Sequence, residues 1–181
     1  MDTAKLRARV TSEELLSALT DARKVEQELL DGLADSQMLG MQAHFLEPPI
    51  WEMGHVGWFQ EYWLLRHLDR AEVLLAGSDG IYDSFNVSYK LRWSHTYPTR
   101  KETHAYITEV LKRSIGRLES REPSPEDVYF YTLAALHEDM HTENLTLILH
   151  TLGHARPALS AYDPACASPP VDPSYTPHDV S

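Results

Sequence analysis

The stretch ALHEDMHTENLTLIL, residues 135–149, carries two histidines four residues apart. Each residue turns an α-helix by about 100°, so His137 and His141 lie about 40° apart on one helix face. Leu145 and Ile148 share that face, which therefore points towards a core. Two imidazoles one turn apart can bind one metal ion, whereas a single core histidine usually only makes hydrogen bonds. The pair favours a metal site over two packed histidines.

The same helix carries two further histidines with the same spacing, His150 and His154. They lie at about 220° and about 260° from His137, away from the apolar face. We therefore expect both of them to be in solvent and not at the metal site.

Outside this helix, the spacing of apolar residues and the signals for helix ends predict three further helices. Thr11 with Glu14 and Thr99 with Glu102 are capping-box pairs, and Ser124 is the N-cap of the histidine helix. The four predicted helices span residues 12–34, 50–67, 100–119 and 125–152.

The segments outside these helices differ in character. Residues 69–98 form a long connection, of a length that is usually functional or in contact with another domain. Residues 156–181 are rich in proline and typical of a linker. We predict an all-α fold, a four-helix bundle over residues 12–155 with the long connection between helices two and three. Gly54 and Gly57 either weaken the second helix or allow close packing against it.

The composition disfavours several classes of partner. The net charge of -11 argues against nucleic acid and against an anionic membrane. The single cysteine, Cys166, allows no intramolecular disulfide and no cysteine-based zinc cluster. The N-terminus lacks the apolar region of a signal peptide, and no run of about 18 apolar residues exists. We expect a cytoplasmic protein.

A third metal ligand is expected on another helix, because two imidazoles leave a site incomplete. His55 lies in the middle of an aromatic stripe of the second helix, with Trp58 and Tyr62 on the same side. The predicted ligand set is His55, His137 and His141. Three imidazoles with open positions suit either zinc or ferrous iron, and the spacing does not decide between them.

The letters H-E-x-x-H at 137–141 also match the zinc-protease pattern. A metzincin would continue with glycine at 144 and histidine at 147, where this chain has Asn144 and Leu147. No glutamate follows Glu143 to serve as a later ligand. Glu138 lies about 100° from His137, towards the flank of the apolar stripe. A protease is therefore strongly disfavoured.

Two motifs together resemble a known family. EPPIWEMGHVGWFQEYWLLR at 47–66, followed by ALHEDMHTENL at 135–145, is similar to the N-terminal DinB-like domain of the non-haem iron sulfoxide synthases. This family includes the hercynine oxygenases of ergothioneine biosynthesis, the ovothiol synthases and the selenoneine synthases. The resemblance covers roughly residues 12–155. The segment YDSFNVSYKLRWSHTYPTRKET at 82–103 is similar to the branch that includes selenoneine synthases.

The resemblance implies a cofactor and substrates. It implies Fe(II) held by His55, His137 and His141, with zinc as the alternative. It also implies a pocket beside the metal for hercynine, a trimethylated histidine, and for O2 and a thiol or selenium donor. The reaction would form a C–S or C–Se bond at the imidazole of hercynine.

Five residues are candidate substrate contacts. In the ergothioneine branch the helical motif often reads H-E-Q-Q-H, and its second glutamine contacts the imidazole substrate; Met140 stands at that position, with Asn144 on the same edge. Trp58 and Tyr62 are candidates to surround a trimethylammonium group by cation–π attraction, although core packing explains them as well. Arg92 in the connection either binds an anionic donor or is a surface arginine, and the surface alternative is slightly favoured.

The family places a formylglycine-generating-enzyme-like domain after the bundle, and that domain carries an active-site tyrosine. The sequence ends about where it would begin, so we expect the catalytic residues in a separate partner domain and little synthase activity from this chain alone. Two alternatives stay open. One is a stand-alone DinB-like thiol S-transferase or hydrolase that uses the same three histidines, and the other is a bundle whose histidines only pack.

Overall fold

The computed structural model describes residues 10–42, 46–119 and 121–160. The described residues form no β-strand, and the predicted all-α fold is confirmed. Four helices are long and two have a single turn each. In chain order they are α1 (Ser12–Asp31), α2 (Pro49–Gln60), α3 (Asp79–Tyr82), α4 (Tyr89–Arg92), α5 (Arg100–Leu118) and α6 (Pro125–Thr151).

Three helices begin where the predicted caps lie. The hydroxyl groups of Thr11, Thr99 and Ser124 accept hydrogen bonds from backbone N–H groups three residues later. The side chain three residues later accepts a hydrogen bond from the backbone N–H of each cap, which completes a capping box at all three helices. At Ser124 this side chain is Asp127, a pairing that the sequence did not predict. A cap of this kind stabilises a helix by about 1 kcal/mol, so the ends of the bundle are encoded locally.

The four long helices pack as two pairs, α1 with α6 and α2 with α5, and the pairs meet where α2 contacts α6. α1 lies along α6, and α2 lies along both α5 and α6. The largest core cluster includes Leu30 from α1, Ile107 from α5 and Ile148 from α6. A separate aromatic cluster of Trp51, Trp58 and Tyr82 lies between α2 and α3. The predicted connection therefore contributes part of the core.

Gly54 and Gly57 allow close approach to α2. A Cβ atom on Gly54 would overlap the ring of Tyr82, and one on Gly57 would overlap the side chain of Ile107. Of the two alternatives from the sequence, close packing is therefore confirmed. α3 and α5 lie nearer to α2 than any larger residue would permit.

The second predicted helix is not regular to its end. After Gln60 it continues as a π-helix, Glu61–His67. The buried carboxylate of Glu61 accepts hydrogen bonds from the backbone N–H of Leu74 and the hydroxyl of Tyr106, 2.8 and 2.5 Å away. These contacts bind the widened turn to the connection and to α5. The spacing of apolar residues predicts a helix, but it does not distinguish the hydrogen-bonding pattern of an α-helix from that of a π-helix.

Most of the predicted linker lies outside the described residues, which end at 160, and Cys166 lies outside them too. Before that point, the backbone N–H of Ser160 donates to the carboxylate of Glu28 on α1, at 2.8 Å. Among the described helices, none has the length and apolarity required to cross a membrane.

Candidate metal centre

Three histidine rings meet between α2 and α6. His55 comes from α2, and His137 and His141 come from α6. One ring nitrogen from each lies within 4.8 Å of the others. The Nε2 atoms of His137 and His141 are 3.2 Å apart. The structure therefore brings together the three residues that the sequence identified as a ligand set.

Two of the rings are held so that Nε2 stays available. The Nδ1 atom of His141 lies 2.5 Å from a carboxylate oxygen of Glu52, and Nδ1 of His55 lies 2.7 Å from the carbonyl oxygen of Tyr82. The carbonyl oxygen of Tyr82 can only accept a hydrogen bond, and the same is true of the carboxylate of Glu52 when it is ionised. Nδ1–H is therefore the donor in both contacts. An Nδ1–H bond to a carboxylate or carbonyl leaves the Nε2 lone pair free for a metal.

His137 is fixed by stacking. Its ring lies on that of Phe59, with centroids 3.6 Å apart and planes within 6°. Its Nδ1 atom is buried and has no hydrogen-bond partner among the described residues. The ring is therefore held flat against Phe59 while Nε2 points at His141.

Burial keeps the imidazoles uncharged. It lowers the pKa of His137 to about 3 and that of His141 to about 4. Burial and the neighbouring histidines also hold the pKa of His55 well below its usual value. Neutral imidazoles are what a metal ion requires, so the three residues fit a divalent transition metal. Imidazole suits both iron and zinc.

A second polar group lies behind His141, and sequence reasoning missed it. It consists of Glu52, Glu47 and Arg92, with Asn144 donating to the second carboxylate oxygen of Glu52. Burial raises the pKa of Glu47 to about 8 and that of Glu52 to about 7. The available signal was a glutamate three residues before His55, in a helix that is otherwise almost entirely apolar.

The structure places one predicted substrate contact, Trp58, beside the centre, and a second one, Tyr62, next to Trp58. The ring of Trp58 is stacked with that of His55 at a centroid distance of 5.9 Å, and its Nε1–H donates to Asp79 at 2.7 Å. Tyr62 is exposed and lies 5.4 Å from Trp58, with the guanidinium of Arg66 already 5.0 Å above its ring. Whether these rings contact a substrate stays a prediction.

The predictions for four further residues have mixed outcomes. Met140 is exposed next to His141, while Asn144 is engaged with Glu52. Arg92 is only 8% exposed, so the surface alternative is wrong, and its contact with an anionic donor stays a prediction. His154 is half-buried, with Nδ1 2.9 Å from the side-chain nitrogen of Gln37. It is therefore not in open solvent, because the chain after α6 folds back towards residues 35–37.

Glu138 does not face the histidines. It is 1% exposed, and its carboxylate accepts two hydrogen bonds from the guanidinium of Arg23 on α1, at 2.5 and 3.1 Å. The helical-wheel analysis placed Glu138 on the flank of the helix, but α6 is buried on two sides, against α2 and against α1. The carboxylate that a zinc protease would use as a base is thus committed to Arg23.

Comparison with known proteins identifies the family of the chain. The DinB superfamily matches residues 18–156. Hercynine oxygenase from Mycolicibacterium smegmatis is 26% identical over 143 residues, which are 78% of this chain and 33% of that protein. Hercynine oxygenase from Mycobacterium tuberculosis is 26% identical over 151 residues, 82% of this chain and 35% of that protein.

The chain thus spans about one third of the length of the curated relatives it matches. A third relative, hercynine oxygenase from Mycolicibacterium thermoresistibile, is also 26% identical, over 139 residues. The resemblance seen in the two sequence motifs is confirmed by these matches. With its helical fold and a family match over most of its length, the chain belongs to the DinB superfamily.

Proposed function

We propose that the chain is the metal-binding part of an O2-dependent sulfoxide or selenoneine synthase, with Fe(II) held by His55, His137 and His141. The observation that carries the proposal is the convergence of three neutral imidazoles from two helices, with ring nitrogens within 4.8 Å of one another. The similarity to hercynine oxygenases supports iron as the metal.

Each part of the centre has a role in this proposal. The three histidines bind the metal, which when bound supplies the capacity to activate O2. Glu52 and the carbonyl group of Tyr82 orient two of the rings through their Nδ1–H groups. The aromatic side chains around His55 and His137 exclude water from the side of the centre that faces α2.

The proposed substrate is hercynine, which combines an imidazole with a trimethylammonium group. Tyr62 and Trp58 offer ring faces for the cation, because aromatic rings attract quaternary ammonium groups. Met140 and Asn144 lie on the edge of α6 beside the histidines, where an imidazole would approach the metal. The thiol or selenium donor would enter at the same place, and Arg92 remains the candidate for an anionic donor.

One side of the centre lies next to exposed apolar side chains. Leu136 and Met140, which flank the histidines on α6, are exposed, and so is Tyr62 on the π-helix. We propose that a further domain or a separate polypeptide, corresponding to the part of the relatives that this chain does not match, covers this face. That part would supply the catalytic groups, so the chain alone binds metal and has little or no synthase activity.

The test is oxygen consumption by the anaerobically loaded chain with hercynine and cysteine, together with analysis of the metal it carries after purification. We expect iron, and a rate that equals that of a His137→Ala variant. A rate well above that variant would contradict inactivity of the chain alone. Bound zinc in place of iron would favour a thiol S-transferase or hydrolase.

A further inference from the structure

Arg92 is the most heavily engaged cation of the connection. Its Nη1 atom pairs with the carboxylate of Glu47, and its other nitrogens donate to the carbonyl oxygens of Ser84 and Val87. Its guanidinium lies 3.9 Å above the ring of Trp51. These contacts use at least one donor on each of the three nitrogens and one face of the guanidinium, and they fix its position.

The contacts of Arg92 continue to a metal ligand. Glu47 is hydrogen-bonded to Glu52, and Glu52 accepts the Nδ1–H of His141 at 2.5 Å. One carboxylate oxygen of each glutamate and a ring nitrogen of His141 lie within 4.8 Å of one another. A continuous series of polar contacts therefore runs from α4, through Glu47 and Glu52, to α6.

We propose that Arg92 is a positioning residue, which fixes the orientation of His141 through Glu47 and Glu52 and so sets the affinity of the centre for its metal. Glu52 has two neighbours that could draw it away from His141, namely Glu47 and Asn144. Arg92 holds Glu47 in place, so that Glu52 keeps one oxygen on Nδ1–H. Loss of such an outer contact typically weakens metal binding by about 10- to 100-fold.

A purely structural role for Arg92 makes a different prediction. In that case its removal would loosen the connection and lower stability, without a specific effect on the metal. Arg117 is a matched control, because the exposed fraction of its side chain is 10%, as for Arg92. Arg117 also pairs with a carboxylate, Asp127, and lies over an aromatic ring, Tyr131, but none of its contacts reaches a histidine.

The inference rests on the proposed metal centre. The experiment distinguishes failure of the role of Arg92 from failure of the metal centre itself. The dissociation constant for Co(II) is measured by competition with a chelator for the whole chain and its variants. The variants are Arg92→Ala, Glu47→Ala, the double variant, Arg117→Ala and His141→Ala. Urea unfolding of each metal-free protein is measured alongside, and Arg92→Gln replaces Arg92→Ala if the latter does not fold.

We expect Arg92→Ala and Glu47→Ala each to weaken Co(II) binding about 10-fold or more. Because Arg92 acts through Glu47, the dissociation constant of the double variant for Co(II) should equal that of the weaker-binding single variant within about twofold. Arg117→Ala should lose stability and keep the wild-type dissociation constant.

An unchanged dissociation constant in Arg92→Ala would overturn the inference. Single effects that multiply in the double variant, or equal weakening in Arg117→Ala, would also overturn it. Absence of binding in the wild type, or wild-type binding in His141→Ala, would instead overturn the proposed metal centre and the inference with it.

Discussion

Replacement of Glu138 tests whether the second letter of the H-E-x-x-H pattern is structural. Arg23 is 1% exposed and donates to both carboxylate oxygens of Glu138. It also donates to the side chain of Gln60 at 2.9 Å and to the carbonyl oxygen of Ile107 at 3.1 Å. In this arrangement Glu138 neutralises a buried cation that joins α1, α2, α5 and α6.

The expected loss of stability in Glu138→Ala follows from the buried positive charge of Arg23, which loses its main partner. Removing one partner of a buried ion pair typically destabilises a protein by about 3–5 kcal/mol. Glu26 moderates this, because its carboxylate lies 3.3 Å from the Nε atom of Arg23. Burial raises the pKa of Glu26 well above its usual value, and the neighbouring carboxylate of Glu138 raises it further, so loss of Glu138 removes one of the causes that disfavour a charged Glu26. We expect about 3 kcal/mol for Glu138→Ala.

The free energy of unfolding of the metal-free chain is measured in urea for four variants. These are Glu138→Ala, Glu26→Gln, the double variant and Glu143→Ala, an exposed position on the same helix. Glu26→Gln and Glu143→Ala should each cost less than about 1 kcal/mol, while the double variant should cost more than the sum of its parts. Wild-type stability in Glu138→Ala would refute the reasoning.

Two further predictions concern packing and pH. Gly54→Ala should destabilise the protein, because its Cβ would displace Tyr82, whose carbonyl group holds His55. Gly116→Ala, at an exposed position of α5, should stabilise the protein by about 0.5–1 kcal/mol. Thermal unfolding of the two variants measures both effects on stability, and a Co(II) titration of Gly54→Ala should show weaker binding than the wild type. The pKa of His137 is about 3 when folded, below its ordinary 6.5, so the unfolded chain binds an extra proton between these values. The free energy of unfolding of the wild type, relative to that of His137→Gln, should therefore rise with pH across that window, by at most about 1.4 kcal/mol per pH unit. Urea unfolding of both proteins at a series of pH values measures this. A difference between the two free energies that does not change with pH would contradict it.

The helices and the shared face of two of the three histidines were predictable because their signals are local. Thr11, Thr99 and Ser124 cap helices through contacts three residues away, and these appear directly in the sequence. His137 and His141 are one turn apart, so their shared face follows from helical geometry alone. His55 needed an additional argument, that a pair of imidazoles requires a third ligand from another helix.

The polar contacts behind the histidines were not predictable in this way. Glu52 and His141 are 89 residues apart, and Arg92 and Glu47 are 45 apart. Hydrophobic periodicity reports which side of a helix is buried, but it does not report which distant charge a buried carboxylate meets. Helical geometry placed Glu138 away from the histidines, as the structure has it, but it did not show that this flank is buried against Arg23 of α1.

The most direct test of the metal centre is an anaerobic Fe(II) titration that compares the wild type with single alanine variants of the three histidines. His150→Ala is the matched control, because His150 lies on α6 and is exposed. One equivalent of Fe(II) should bind to the wild type and to His150→Ala, and binding should be lost in His55→Ala, His137→Ala and His141→Ala. Wild-type affinity and stoichiometry in any one of those three variants would contradict a centre built from these histidines.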